Sequence, residues 1–299
     1  MSSPFLLDEP ALISFSGGRT SAYMLRRILD AGSFGNPDVH VVFANTGKER
    51  PETLDFVNEV ETRWKIHIDW VEYERFHLPV YKSKERAKAA AQARAYSFRE
   101  YESPRKGERG FRIVSYETAS RNGEPFENVI DMVGLPSPTT RLCTQEMKIR
   151  PIEKRMRELG YTHWLNVVGI RADEPKRVAR MRAQQMPYYE NSLPLADAGI
   201  TKIDVLKFWR ESDFDLQLPL DENGDTYGGN CDLCFLKSTS KRLRIAKENP
   251  EWLDWWIEQE DRTGMVFLNH GKKFINLLDV TEAEACSVDD DLGDCVCHD

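Results

Sequence analysis

The sequence predicts an α/β fold, a parallel sheet flanked by helices, with a helical insertion and a C-terminal helical region. Two observations carry this. Short apolar runs alternate with segments of helical periodicity three times near the N-terminus, the pattern that parallel strands and crossover helices require. The chain of 299 residues is also long enough to bury a full core and an appendage.

The elements follow in order. "ALISF" is a buried strand, short, apolar and ended by Gly-Gly. "TSAYMLRRILDAG" has apolar residues at helical spacing and Gly32 as its stop signal. "DVHVVFANTG" is a second strand, "PETLDFVNEVETRWK" a helix with Pro51 in its first turn, and "IHIDWVEYE" a third strand. From about 82 to 128 the pattern gives way to "KERAKAAAQARAYSFREY" and a polar stretch, read as an insertion and a candidate lid. "MKIRPIEKRMRELGY" predicts an amphipathic helix, "HWLNVVGIRADE" a strand leading into a polar loop, and "TKIDVLKFWRES" a helix capped by Thr201. "NPEWLDWWIEQEDRTG" predicts a late helix whose tryptophans pack in a core or interface rather than stack on bases. The domains expected are 1–237, a helical region at 238–280, and an acidic, flexible tail at 281–299.

No apolar run reaches the length of a membrane span, and "MSSPFLLDEP" lacks a basic segment followed by an apolar one. A cytoplasmic location with no membrane partner is expected. The formal net charge of −8 argues against indiscriminate nucleic-acid binding by the whole molecule. Basic residues nevertheless outnumber acidic ones from Lys82 to Arg112 and from Lys148 to Arg182. These stretches read as solvated helix faces or as a face for a polyanion. Hydrolytic motifs such as GxSxG and HExxH are absent.

The turn "SFSGGRTS" joins the first strand to the first helix. Glycines let backbone N–H groups approach a ligand, Ser and Thr add hydroxyls, and the helix N-terminus carries partial positive charge. The assembly suits a phosphate, yet it is neither a Walker A loop nor the dinucleotide GxGxxG. Alone, it is equally a tight strand-to-helix turn. Six cysteines in a chain without a secretory signal point to metal, catalysis or burial before disulfides.

Several ordered segments resemble one family. "SFSGGRTS" resembles the PP-loop, SGGxxS, of the ATP pyrophosphatases and of their relatives the phosphoadenosine phosphosulfate (PAPS) reductases. "NTGKERPETLDFV", "LCTQEMKIRPI", "VVGIRADEPKR", "PLADAGITKIDVLKFW" and "GNCDLCFLK" resemble motifs of the reductase branch in the order in which it uses them, across roughly residues 11 to 237. The resemblance implies a Rossmann-like adenine nucleotide alpha-hydrolase fold holding an adenine nucleotide at the C-terminal edge of the sheet. Carried over by position, Ser16, Gly17, Gly18, Thr20 and Ser21 would cradle phosphates or a sulfate, and Ser14 and Arg19 would also bind the nucleotide. Asn45, Thr46, Gly47, Glu49 and Gly169 would lie beside the nucleotide, and Arg171 would meet an anionic group; a buried ion pair is the competing reading of Arg171. Ser16, Arg19 and Arg171 are the expected catalytic set. Where the reductases carry a degraded loop, this chain keeps SGGxxS, which favours ATP, with Mg, cleaved between its alpha and beta phosphates. Arg19 stands where many pyrophosphatases have Lys.

Iron-sulfur members of the branch hold a [4Fe-4S] cluster with a Cys-Cys pair and a later CxxC. Here Leu142 replaces one of the pair, which leaves Cys143, Cys231 and Cys234. Three ligands leave one iron open, as in sulfur-inserting PP-loop enzymes. Zinc completed by His270 or a tail cysteine is the alternative, with inert thiols third. Cys286, Cys295 and Cys297 sit among acidic residues that disfavour a thiolate, so the tail is read as disordered or metal-binding before nucleophilic. The resemblance thus implies an ATP-dependent enzyme that adenylates an acceptor and transfers sulfur, with a nucleic acid among the candidate acceptors. Its other partners are a sulfur donor or reductant protein, and a homodimer is among the assemblies it admits. A PAPS or adenylylsulfate reductase and a non-catalytic nucleotide-binding protein stay open beside it.

Overall fold

Every strand of the fold is set by an apolar run whose side chains find a layer on each face. In a computed structural model, which describes residues 3–74, 110–220, 226–229, 231–268 and 271–287, six strands form one sheet in the order β4-β3-β2-β1-β5-β6. They are β1 (Ala11–Phe15), β2 (Val39–Asn45), β3 (Asp69–Tyr73), β4 (Phe111–Val114), β5 (Trp164–Val168) and β6 (Tyr189–Ser192). All neighbours are parallel except β3 and β4. Ile13 of β1 faces Val41 of β2 and Val167 of β5 in register. The chain leaves β1 towards β2 on one side and reaches β5 on the other, so the direction of winding reverses at β1, where such sheets open a ligand crevice.

Helices α1 (Arg19–Asp30), α2 (Pro51–Trp64) and α7 (Lys202–Glu211) cover one face. Met24, Leu25, Ile28, Leu54, Val57, Val205 and Trp209 meet Ile13, Phe15 and Phe43 of the sheet there. The opposite face buries Leu12, Val42, Ala44, Val71, Trp164 and Tyr189 with Met156 of α4 (Arg150–Glu158). A further core joins α3 (Glu124–Val133), α8 (Thr239–Glu248) and α9 (Trp252–Thr263) around Phe126, Met147, Phe235, Trp256, Phe267 and Phe274. Two short helices, α6 (Pro194–Asp197) and α10 (Glu282–Ser287), and α5 (Pro175–Ala183) complete the helical elements discussed here.

The early strands and helices stand where periodicity predicts them, and Thr201 forms the expected cap, a capping box with Asp204. The C-terminal end of the segment expected as an insertion, 82–128, holds a strand and the start of a helix. Phe111–Val114 is a sheet strand, with Phe111 fully buried and Arg112 paired to Glu72, and α3 begins at Glu124. Its Gly and Arg content hides a strand only four residues long. The Ala-, Lys- and Arg-rich segment itself lies outside the described residues, as do His270, Cys295 and Cys297.

The helix expected from Met147 starts earlier, as a π-helical turn at Thr144–Ile149 in which the Arg150 amide donates to the Gln145 carbonyl. Pro151 explains it: proline has no N–H to donate one turn back and its ring crowds the carbonyl there, so the turn before it widens. The tryptophans of α9 divide between roles. Trp256 is core, whereas Trp252 and Trp255 receive the cations of Arg50 and Lys48 on their rings.

Candidate functional site

The loop after β1 turns at Gly17, whose φ of +77° suits glycine and whose missing side chain matters. A Cβ there would stand 2.9 Å from Thr53 Cγ2 and 3.1 Å from Phe43 and Val57. Ser21 locks the loop from inside: its hydroxyl donates to the Gly18 carbonyl at 3.0 Å and lies 2.9 Å from Ser16 Oγ. Gly18 precedes the first turn of α1 with extended backbone and no side-chain cap, so amides of that turn are open to an anion. Gly169, after β5, packs against α1 so closely that a Cβ would come within 3.1 Å of the Ser21 Cα.

A cleft of about 460 Å³ opens beside this loop against the sheet. Of the residues that the sequence sets around a nucleotide, Ser14, Ser16, Ser21 and Gly169 line it. Its floor is a polar ladder across three strands that the sequence reading did not single out. Ser14 donates to Asn166 Oδ1 at 2.9 Å, Asn166 donates to Asn191 at 2.8 Å, and Asn191 donates to the Met181 carbonyl. Arg141, Lys148, Arg177 and Arg180 give the walls four cationic side chains against one acid, Glu153. That balance suits a polyanion. Arg141 is a non-glycine residue with φ of +42°, the kind of strained backbone that gathers at binding sites. Arg177 is buried and paired with Glu174, and its Nε has no partner among the described residues.

Other predicted residues lie elsewhere. Arg19 does not reach the cleft: Asp215 holds its guanidinium through two bonds of 2.7 and 2.6 Å, and the Leu216 carbonyl accepts a third. Through that ion pair Arg19 anchors α1. Arg171 donates to Thr20 Oγ1 at 3.1 Å, so it does touch the first turn of α1, but Asp173 lies 3.0 Å and Glu174 3.8 Å from it. The ion pair that competed for Arg171 is present. Asn45 is fully buried and braces the end of β2, donating to Glu72 and the Ser120 carbonyl and accepting from the Gly47 amide.

Thr46 and Glu49 face the cysteines rather than the cleft. Glu49 Oε2 accepts from the amide and hydroxyl of Thr46, both at 2.7 Å, while Oε1 stands 3.8 Å from Cys231 Sγ and 3.7 Å from Lys148 Nζ. Burial pushes the Glu49 carboxyl above its ordinary range, against the opposing pull of Lys148 and Thr46. Cys143, Cys231 and Cys234 converge on one small cavity, of about 20 Å³, with Thr46, Met147, Phe235 and Trp256. Around it Lys237 donates to the Cys231 carbonyl, and a buried ion pair of 2.7 Å joins Lys48 to Asp232 between the cysteines.

The donor chemistry fits a thiolate-held metal centre. The cavity that the three cysteines line has room for about one water, and among the described residues no three Cys, His, Asp or Glu side chains stand at ligating spacing. A four-iron cluster therefore enters only if these walls part. Thr144 and Lys148 of the π-helical turn line both the cleft and the cysteine cavity, so one turn of backbone separates them. Among the described residues no helix is long and apolar enough to cross a membrane.

Comparison with known proteins adds the following. Residues 10–113 match the family model of the phosphoadenosine phosphosulfate reductase domain. A curated relative, the uncharacterized nin region protein ORF290 of Escherichia phage lambda, is 31% identical over 246 residues, covering 81% of this chain and 71% of the relative. An uncharacterized protein of Methanocaldococcus jannaschii is 24% identical over 255 residues, covering 84% of this chain and 41% of that protein. A crystal structure of a PAPS reductase from Candida auris in a phosphate complex is 15% identical, with a TM-score of 0.33 over 68% of this chain and 72% of that one.

Proposed function

Because the chain belongs to the PAPS reductase-like branch of the PP-loop superfamily, we propose that it binds ATP with Mg over the loop Ser16–Ser21 and adenylates an acceptor, to which sulfur is then delivered. The observation that carries the reading is the complete SGGxxS loop folded as strand, turn and helix beside a cleft with four cationic walls, one helical turn from three converging cysteines. In this reading the amides of the first turn of α1 and the Ser16 hydroxyl hold the departing pyrophosphate. Lys148 and Arg141 neutralise charge at the alpha-phosphate, where a nucleophile on the acceptor attacks and the bond to the beta-phosphate oxygen breaks. Arg171, through Thr20, sets the first turn of α1.

Cys143, Cys231 and Cys234 would hold a [4Fe-4S] cluster, which supplies an open iron for a sulfur species when bound. Glu49, beside Cys231 and Lys148, would position both. Zinc is the alternative occupant of the same thiols. The basic walls of the cleft suit a nucleic acid as acceptor, and a sulfur donor or reductant protein completes the cycle. The test is ATP consumption with release of AMP and pyrophosphate in the presence of candidate acceptors, together with iron and acid-labile sulfide analysis of anaerobically purified protein. Absence of nucleotide binding overturns the ATP reading. Zinc at one per chain without labile sulfide overturns the cluster.

The reductase domain matched at residues 10–113 favours a second reading, reduction of a sulfonucleotide with release of sulfite. A sulfite assay with PAPS and adenylylsulfate separates it from the first.

A further inference from the structure

The end of the cleft away from the loop is chemically unlike the rest. Leu12 lies four residues before Ser16 on the strand, about 13 Å away at the ordinary rise of an extended chain, which is the scale of a nucleotide from phosphate to base. Tyr189 pairs with Trp164, two residues before the Asn166 that faces Leu12, and so lies deeper still. Around them stand Ile152 and Met181, a slot with apolar walls. Into this slot α4 places one carboxyl, that of Glu153.

Glu153 lacks the partners that a structural carboxylate keeps. The nearby cations are committed elsewhere: Arg150 is bonded to Glu146 and Arg157 lies over the Tyr188 ring. Among the described residues no hydrogen bond or ion pair reaches the Glu153 carboxyl. Burial raises its pKa, with Arg150 and Arg157 opposing. The Tyr189 hydroxyl likewise has no hydrogen-bond partner among the described residues, and burial with the Glu153 charge pushes it up to about 12. Both groups line the same cleft, and two half-buried polar groups without partners cost free energy unless a ligand satisfies them.

We infer that Glu153 and Tyr189 read the base of the bound nucleotide, with the Glu153 carboxylate accepting a hydrogen bond from an exocyclic amino group. The inference rests on the nucleotide reading above and assigns the base end of that cleft. A base with an amino group at this edge satisfies Glu153; one with a carbonyl oxygen there sets two acceptors against each other. Apolar walls hold either ring, so the discrimination falls to the polar pair. Asn166 is held in the ladder by Ser14 and Asn191, on the loop side of Tyr189.

The experiment compares ATP with ITP, which differs in carrying a carbonyl oxygen where adenine has its amino group. Binding of each is titrated calorimetrically to wild type, Glu153→Ala, Glu153→Gln and Tyr189→Phe, with thermal unfolding of each protein as the control for folding. Wild type prefers ATP by roughly ten- to a hundredfold, the range for a hydrogen bond to a charged group. Glu153→Ala loses that preference by weakening ATP while leaving ITP little changed, and Tyr189→Phe reduces it a few-fold. Glu153→Gln, whose amide can donate to the carbonyl of ITP, shifts preference towards ITP and covers the case in which the alanine variant unfolds. An unchanged preference in both Glu153 variants, or equal weakening of both ligands, overturns the inference and leaves ATP binding standing. Failure of wild type to bind either nucleotide overturns the function from which it starts.

Discussion

Gly17 and Glu260 show how much of the site and its support depends on single atoms. At Gly17, a methyl group has neither the backbone conformation nor the space it needs. Gly17→Ala is expected to lower stability by more than about 1 kcal/mol and to weaken ATP binding at least tenfold, measured by denaturant unfolding and titration. Glu260 is buried on α9 and accepts from the Phe267 amide at 3.1 Å and the Phe274 amide at 2.9 Å, one on each oxygen. Glu260→Gln turns one acceptor into a donor facing a donor, at an expected cost of about 1–3 kcal/mol. Burial, first among the causes, raises the folded carboxyl above its ordinary 4.5. The native state then holds the proton longer than the unfolded chain, so this group's contribution to stability falls as pH rises from about that value through the raised one. The advantage of wild type over Glu260→Gln should shrink across that window, and unfolding at a series of pH values checks it.

Elements tie these residues together, and their legibility in the sequence varied with how local their cause is. The strand-loop-helix unit of β1 and α1 could be read directly, because apolar runs, glycines and helical spacing are short-range signals. β4 and β6 could not. Four residues carry too little periodicity, and Phe111 declares itself only through the partner strand that buries it. The site divided in the same way. The sequence located the glycine loop and the three cysteines, but the Ser14–Asn166–Asn191 ladder and the cations of α5 come together only through the order of the strands. The pairing of Arg19 with Asp215 could not be read, because Asp215 lies 196 residues away in the chain. The structure predicts that Arg19 and Asp215 act as a unit joining α1 to the segment after α7. In a double-mutant cycle, Arg19→Ala and Asp215→Ala should each lower stability and together cost less than their sum, by about 1 kcal/mol for a pair part-open to solvent. An additive result removes that role.

At the scale of the molecule, the C-terminal region is part of the machinery that shapes the cysteine cavity. Leu243, Ile245, Trp256, Phe267 and Phe274 share one core with Phe126 of α3, Met147 of the π-helical turn and Leu233 of the CxxC loop. Ending the chain at residue 237 would remove half of that core. The shortened protein is expected to lose cooperative unfolding and to expose apolar surface, seen as a broadened thermal transition and increased dye binding. Retention of a sharp transition would make 1–237 a unit that folds alone. Trp256 also donates to Asp232 at 2.9 Å, between the cysteines, so the effect of truncation should reach the CxxC loop.

The turn at Thr144–Ile149 is a party wall. Lys148 belongs to two rooms at once, and any change that resizes one resizes the other. On the proposed function, nucleotide choice and metal chemistry are consequently not independent traits: a lineage, or an engineer, that alters this wall inherits both changes together.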